Sequence, residues 1–229
     1  MTIEANLQIV RRRIDEACAA AGRSADAVQL LAVSKTFPSE AVAQAAAGGQ
    51  RDFGENYIQE GVEKTAALAH LGLTWHCIGP LQSNKTRLVA EYFDWVHSVD
   101  RLKIAQRLSE QRPATLAPLN VCIQVNIDGG PTKAGVAPED ALALAHAVAA
   151  LPGLRLRGIM TIPEPAPDFA ATLAVHQRAK ELFDQLRASG LALDTLSMGM
   201  SADLEAAVQA GSTMVRVGSA IFGGRTARA

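Results

Sequence analysis

The chain has 229 residues, of which 48% are hydrophobic and 20% charged, with 22 basic and 23 acidic side chains. A formal net charge of -1 without a basic block argues against nucleic-acid and anionic-membrane partners, and leaves room for a small anionic ligand. No stretch of the sequence is long and apolar enough to span a bilayer. We therefore expect one soluble domain over residues 1–229.

The first predicted element is an amphipathic surface helix, with apolar residues at helical spacing from Ile3 to Ala17. Short β-like runs then alternate with helical patterns, at 28–34, 51–54, 73–78, 94–98, 119–126, 154–160, 193–198 and 213–217. Pro38 and Pro138 mark the starts of two of the intervening helices. Eight βα repeats predict an α/β fold, a single (β/α)8 TIM barrel with an extra N-terminal helix. The alternative is a doubly wound open sheet. Such a sheet would be expected to carry a glycine-rich fingerprint after its first strand, and AVSKTFP is not one.

The three cysteines, Cys18, Cys77 and Cys122, are odd in number, widely spaced and set in apolar surroundings. This pattern indicates reduced core thiols in a cytoplasmic protein, not a disulfide framework. His76 and Cys77 are adjacent on a predicted strand and so face opposite sides, which disfavours a Cys–His pair or shared metal ligation. We expect no metal.

In a barrel of this kind the functional residues lie at the carboxyl ends of the strands. The last two such loops are the most informative, because Ser201 is predicted to cap a helix while Gly218 and Ser219 open a short terminal one. Helix amino ends with exposed N–H groups and two hydroxyls are typical of a phosphate site. The alternative is ordinary helix capping.

Lys35 follows the first predicted strand and faces this anion site across the barrel mouth. Burial disfavours the charged form of a lysine and so favours its nucleophilic amine. A lysine opposite a phosphate site indicates a phosphorylated aldehyde held as a Schiff base. The alternative is a salt bridge between Lys35 and Glu55 on the next strand, and the residues alone do not separate the two.

Several long stretches, in order along the chain, resemble the pyridoxal 5′-phosphate homeostasis proteins, the YggS/PROSC-like family related to the N-terminal barrel of alanine racemase. They are AVSKTFP, FGENYIQE, WHCIGPLQSNK, LRGIMTIPEP and GMSADLEAAVQAGSTMVRVGSAIFG, and the likeness extends to IFGGR. The resemblance implies the cofactor pyridoxal 5′-phosphate (PLP) and these contacts: Lys35 as the internal aldimine, Ser201 with the Gly218-Ser219 turn at the phosphate, Arg216 facing the pyridine nitrogen, and Asn56 beside the cofactor. Ser219 stands where threonine is more usual, but keeps the hydroxyl.

Given a bound pyridoxal ring, Arg216 keeps the pyridine nitrogen unprotonated, because a guanidinium donates hydrogen bonds and does not give up its proton. An unprotonated ring is a poor electron sink, which disfavours transamination and decarboxylation. The alternative for Arg216 is an ion pair with Glu205.

Racemases that resemble this barrel also use a tyrosine from a second domain of the partner subunit, and we expect that domain to be absent. Tyr57 is predicted to be a packing residue. We therefore favour a PLP carrier in intracellular PLP homeostasis and delivery, with little or no turnover and no catalytic residue. The alternatives are a racemase-like PLP enzyme and a class I aldolase-type barrel.

We expect a monomer, with PLP-dependent apoenzymes as candidate acceptors. Lys133, after the fifth strand, is either a transient second PLP site or a solvated loop lysine.

Overall fold

The computed structural model describes residues 2–130 and 133–224. Eight parallel strands close into a barrel in which each strand pairs with the next, and the last pairs with the first. The strands are β1 (Gln29–Val33), β2 (Asp52–Glu55), β3 (Thr74–Cys77), β4 (Trp95–Val99), β5 (Leu119–Val125), β6 (Leu154–Thr161), β7 (Thr195–Ser197) and β8 (Met214–Val217). The predicted (β/α)8 barrel is confirmed, and each predicted run overlaps one strand. Arg225 of the IFGGR stretch lies outside the described residues.

An α-helix precedes β1, an α-helix follows each strand, and together they cover the barrel. They are α1 (Ile3–Ala20), α2 (Ser39–Ala47), α3 (Ile58–Ala67), α4 (Thr86–Tyr92), α5 (Leu102–Gln111), α6 (Pro138–Ala149), α7 (Phe169–Ala188), α8 (Leu204–Gln209) and α9 (Ser219–Phe222). Pro138 occupies the first turn of α6, as predicted. These helices are too short or too polar to cross a bilayer within the described ranges.

Helix α1 is the extra N-terminal helix, and it packs on α2, α8 and α9. Its apolar stripe, which includes Leu7, Val10 and Ile14, is buried as the helical spacing predicts. The Asn6 side-chain amide donates to the carbonyl of Ile221 at 2.9 Å. The first helix therefore supports the last one from the outside of the barrel.

The strands are nearly continuous apolar runs because helices cover the barrel outside and side chains fill its interior. Cys18, Cys77 and Cys122 are buried and free, which confirms them as core thiols. Burial raises the pKa of the Cys77 and Cys122 thiols to about 12, so both are protonated at neutral pH. The barrel interior also contains buried polar side chains, among them His76 and His97.

The predicted helix start at Ser201 is wrong. Residues 201–203 form a turn, and α8 begins at Leu204 with Asp203 in the cap position. The reason is local, because the Asp203 carboxylate accepts the backbone N–H of Met200 at 2.6 Å and ties the turn back on itself.

Candidate functional site

A cavity of about 320 Å³ opens at the carboxyl ends of the strands. Its lining includes every residue that the sequence analysis placed at the site, namely Lys35, Asn56, Ser201, Arg216, Gly218 and Ser219. The apolar part of the wall comes from residues that the sequence analysis did not single out, including Val33, Phe37, Ile78, Ile162 and Met200. Residues far apart in the chain meet here because the carboxyl ends of parallel barrel strands converge.

The loop that carries Lys35 is fixed on both sides of that residue. Lys35 itself is half-buried in the cavity wall. The Ser34 hydroxyl donates to Oε1 of Glu55 at 2.6 Å, and the Thr36 backbone N–H donates to Oε1 of Glu60 at 2.7 Å. Thr36 has a φ of 68°, a left-handed conformation that is strained for a β-branched residue. The surrounding hydrogen bonds therefore hold a strained turn next to the lysine.

Lys64 of α3 is the cation behind this loop. Its side chain is only 5% exposed, and Nζ donates to the carbonyl of Ser34 at 2.8 Å. The same nitrogen lies 2.7 Å from Oε1 of Glu55 and 2.7 Å from Oε1 of Glu60. Burial raises the pKa of Glu55, while the charge of Lys64 opposes that rise. Lys64 therefore supplies a buried positive charge next to Glu55.

The Ser201 turn is held by Asp203 and by polar side chains from two helices, His176 of α7 and Arg13 of α1. Oδ2 of Asp203 lies 2.9 Å from Nε2 of His176 in α7, while Oδ1 accepts the N–H of Met200. Burial alone would raise the pKa of Asp203, but these hydrogen bonds bring it below the ordinary carboxyl value. Arg13 of α1 donates to the carbonyl of Ser201 at 2.7 Å. The turn is thus fixed from outside the cavity, with Ser201 on the cavity wall.

Gly218 and Ser219 form the start of α9 on the same wall. A Cβ at Gly218 would lie 3.0 Å from the carbonyl oxygen of Val33, so a side chain there would press on the end of β1. The N–H groups of Ile221 and Phe222 donate to the carbonyl of Gly218 at 2.9 and 3.0 Å, so in this turn of the described chain the N–H groups of Ser219 and Ala220 are the ones left for a ligand. This turn therefore presents backbone donors next to the Ser219 hydroxyl, as an anion would require.

Asn56 lies directly after β2, and its Oδ1 is buried without a hydrogen-bond partner among the described residues. The neighbouring loop approaches it closely, because a Cβ at Gly79 would lie 2.2 Å from the carbonyl oxygen of Asn56. The Ser98 hydroxyl donates to the Gly79 carbonyl at 2.6 Å. Glycine at 79 is therefore required for the position of Asn56.

Arg216 is buried, with 4% of its surface exposed, and uses part of its guanidinium to anchor itself. Nη1 donates to the carbonyl and hydroxyl of Ser197 at 2.8 and 2.9 Å, and Nη2 donates to the carbonyl of Thr161 at 2.8 Å. Burial lowers the pKa of Arg216 to about 10, so the group is cationic at neutral pH. The alternative pairing with Glu205 is wrong, because Oε2 of Glu205 lies 2.7 Å from Nη2 of Arg13.

Two further predicted residues lie outside the cavity lining. Tyr57 is 58% exposed at the start of α3, so the prediction that it is a packing residue is wrong. Lys133, whose neighbours Pro131 and Thr132 are outside the described residues, forms an ion pair with Glu164 at 3.0 Å. Its Nζ also donates to the carbonyl of Ile162, which belongs to the cavity wall, at 3.3 Å. Lys133 is therefore an ion-paired residue on the cavity rim.

The chain matches known proteins along nearly its whole length. The family model described as alanine racemase, N-terminal domain, matches residues 3–226. The pyridoxal phosphate homeostasis protein of Pseudomonas aeruginosa is 62% identical over 224 residues, which cover 98% of this chain and 96% of that protein. The chain belongs to the pyridoxal phosphate homeostasis protein family. The protein of that name from Escherichia coli K12 is 54% identical over 223 residues, covering 96% of this chain and 95% of the relative.

This member of the pyridoxal phosphate homeostasis protein family can also be compared with a solved structure that contains PLP. PipY of Synechococcus elongatus PCC7942, with PLP bound, superposes with a TM-score of 0.80 at 40% identity, covering 92% of this chain and 100% of that chain. The family resemblance inferred from the sequence stretches is therefore confirmed.

Proposed function

We propose that the cavity binds PLP through a Schiff base to Lys35, and that the protein stores and delivers this cofactor with little turnover of its own. The observation that carries the proposal is the composition of one cavity wall, which combines an amine, a buried guanidinium, two hydroxyls and backbone donors. PLP has an aldehyde, a pyridine nitrogen and a phosphate at separate points of its ring. The PLP-bound relative at 40% identity supports the same assignment.

The residues present fit each of these groups. Ser201, Ser219 and the backbone at Gly218 would hold the phosphate, because hydroxyl and N–H groups donate to its oxygens. Arg216 would donate to the unprotonated pyridine nitrogen, and the buried amide of Asn56 would lie beside the ring. PLP, when bound, supplies an electrophilic aldehyde with which a lysine amine condenses with loss of water. Among the described residues that line the cavity, Lys35 supplies this amine.

Two features of the chain favour a carrier over an enzyme. Arg216 is cationic and anchored to carbonyl groups, so it would not protonate the ring and would leave the cofactor a poor electron sink. The tyrosines of the chain, Tyr57 and Tyr92, both lie outside the cavity lining, so neither is placed to move a proton at the reacting carbon. These features support storage of an intact cofactor, which we propose the protein releases to apoenzymes in the cytoplasm.

A racemase-like activity is the second candidate, favoured by the match of the alanine racemase N-terminal domain over residues 3–226. The test is to incubate PLP-loaded protein with single amino acids in deuterated water and to follow the α-proton by NMR. The carrier account expects exchange no faster than with free PLP. Rapid exchange with racemisation of one amino acid would establish the enzyme instead.

The carrier account is tested by reconstitution with PLP and transfer to an apoenzyme. Wild type should form the absorption band of a protein-bound Schiff base and restore activity to an added PLP-dependent apoenzyme. Lys35→Ala should form no such band yet unfold cooperatively, whereas the matched control Lys103→Ala, at an exposed position on α5, should behave as wild type. A normal band in Lys35→Ala would overturn the assignment, and a colourless wild type that binds phosphosugars would favour the aldolase reading.

A further inference from the structure

A chain of buried hydrogen bonds crosses the barrel interior and ends at Arg216. Nε2 of His76 lies 3.1 Å from Oδ1 of Asp52, and Nδ1 of His76 lies 2.9 Å from Nε2 of His97. Nδ1 of His97 lies 3.0 Å from the Ser197 hydroxyl, which accepts from Nη1 of Arg216 at 2.9 Å. We call these five residues the interior chain. It runs from the first residue of β2, at the amino end of the barrel, to the cavity at the carboxyl end.

The chemistry of the two end groups fixes the direction of the protons between them. Arg216 can only donate, so the Ser197 oxygen accepts there and its own proton is free for Nδ1 of His97. That histidine then carries its proton on Nε2 and donates it to Nδ1 of His76. His76 in turn donates from Nε2 to Asp52, whose ionised carboxylate can only accept. Every donor in the interior chain therefore points towards Asp52.

The opposite direction of hydrogen-bond donation along the interior chain is unfavourable at the carboxylate of Asp52. If Ser197 accepted a second hydrogen bond, from Nδ1 of His97, then Nε2 of His97 would accept from His76. The lone pair on Nε2 of His76 would then face the negative charge of Asp52 at 3.1 Å. An unprotonated nitrogen and a carboxylate oxygen repel each other, so a charged Asp52 selects the first direction.

Both histidines are neutral in this arrangement, as their surroundings require. His76 and His97 have no exposed surface. Burial lowers the pKa of His76, against the opposing effects of Asp52 and Asp94, and burial together with His76 and Arg216 lowers the pKa of His97 well below its ordinary value. The interior chain thus separates a guanidinium and a carboxylate by three neutral groups.

We propose that Asp52 is a positioning residue for the ring side of the cavity, acting through the interior chain to strengthen the hydrogen bond by which the Ser197 hydroxyl anchors Arg216. This role in orienting Arg216 towards a pyridine nitrogen rests on the proposed function. The physical basis is cooperative polarisation, because each hydrogen bond in a chain strengthens the next when all point the same way. The negative charge of Asp52 therefore strengthens the hydrogen bond that the Ser197 hydroxyl accepts from Arg216.

The first arm of the test uses protein stripped of ligand, so that it does not depend on PLP. Nitrogen-15 NMR of labelled histidines should show Nε2–H and unprotonated Nδ1 on both His76 and His97 at neutral pH. In Asp52→Asn, whose amide can donate as well as accept, the minor tautomer should rise roughly fivefold. The matched control is Asp15→Asn, in the same surface groove as Asp52, and it should leave both histidines unchanged.

The second arm uses the loaded protein, with nitrogen-15 PLP as the probe. Asp52→Asn should shift the resonance of the cofactor ring nitrogen, and Ser197→Ala, which removes one link, should make the ring insensitive to Asp52→Asn. Nδ1–H on either histidine in wild type, or unchanged tautomers in Asp52→Asn, would overturn the proposal. The proposal would also be overturned if Asp52→Asn left the resonance of the cofactor ring nitrogen unchanged in loaded protein. Failure of wild type to bind PLP would instead refute the proposed function. The histidine tautomers measured in the first arm would still test the role of Asp52 in the interior chain.

Discussion

Nζ of Lys64 lies 2.7 Å from Oε1 of Glu55, and the two side chains are 5% and 0% exposed. This buried ion pair stands beside the loop that carries Lys35, and the same ammonium group also binds the carbonyl of Ser34. The geometry makes the pair a support for the residue that we propose as the point of PLP attachment. It also carries the largest stability effect that we expect from one substitution at the site.

Lys64→Met should lower the free energy of unfolding by about 3–5 kcal/mol, because it leaves the carboxylate of Glu55 buried without its counter-ion. The double variant Lys64→Met/Glu55→Gln should recover much of that loss. Lys180→Met, which breaks an exposed pair with Asp184, is the control and should cost less than about 1 kcal/mol. Urea unfolding of all four proteins measures this, and equal stabilities of the two lysine variants would contradict the buried-pair account.

Gly79→Ala should weaken PLP binding, because the added Cβ cannot coexist with the carbonyl of Asn56 at its present position. We expect a loss of about 1–3 kcal/mol in unfolding free energy as the two loops separate. Gly224→Ala, where a Cβ would meet nothing within 4 Å, is the control and should change neither property. Fluorescence titration with PLP checks the binding, and wild-type affinity in Gly79→Ala would show that Asn56 is not needed.

Ser201→Ala and Ser219→Ala should each weaken PLP binding by roughly five- to tenfold, the effect of about 1–1.5 kcal/mol for one lost hydrogen bond. Binding of pyridoxal, which lacks the phosphate, should change little in either variant. Ser24→Ala, in the loop at the opposite end of the barrel, provides the control. If pyridoxal binding falls as much as PLP binding, the two hydroxyls do not contact the phosphate.

Arg216→Glu should let the pyridine nitrogen of bound PLP protonate and so strengthen the electron sink. Incubated with an amino acid, this variant should drift towards pyridoxamine phosphate by half-transamination at least roughly tenfold faster than wild type, about 1.4 kcal/mol in the barrier. Arg216→Gln removes the same charge without adding a carboxylate and should keep its aldehyde. Loss of the absorption band over time measures the rate, and equal rates in the three loaded proteins would show that Arg216 does not protect the cofactor.

Protein stripped of ligand should lose stability as the pH falls through about 6.5. The pKa of His97 is lowered by burial and by His76 and Arg216, so the unfolded chain binds a proton that the folded chain does not. His97 alone should cost about 1.4 kcal/mol between pH 7.5 and pH 5.5. Guanidinium unfolding at both pH values should show a smaller loss in His97→Gln, whereas His70→Gln, at an exposed position, should match wild type.

The barrel and the cavity residues could be predicted from the sequence because their signals are local. Strand runs and helix punctuation repeat along the chain, and Lys35, Ser201 and Arg216 follow or end strands whose carboxyl ends must meet. The predicted cap of α8 was wrong by two residues, since Ser201 and Asp203 are both good capping residues and the choice depended on a hydrogen bond to Met200.

The supports of the site could not be predicted, because their contacts are distant in sequence. Lys64 has the pattern of a solvated helix lysine, yet one of its partners is the carbonyl of Ser34, 30 residues away. His97 and Ser197 are separated by 100 residues. The signal available in the sequence was a polar residue within an apolar strand, which indicates an interior position without naming its partner.

The central claim is that Lys35 holds PLP, and the most direct test is peptide mapping by mass spectrometry after borohydride reduction of the PLP-loaded protein. Reduction converts a Schiff base into a stable secondary amine and so marks the lysine that carried it. The account predicts a single phosphopyridoxyl group on the peptide that contains Lys35. A label found on other lysines, with Lys35 unmodified, would contradict it.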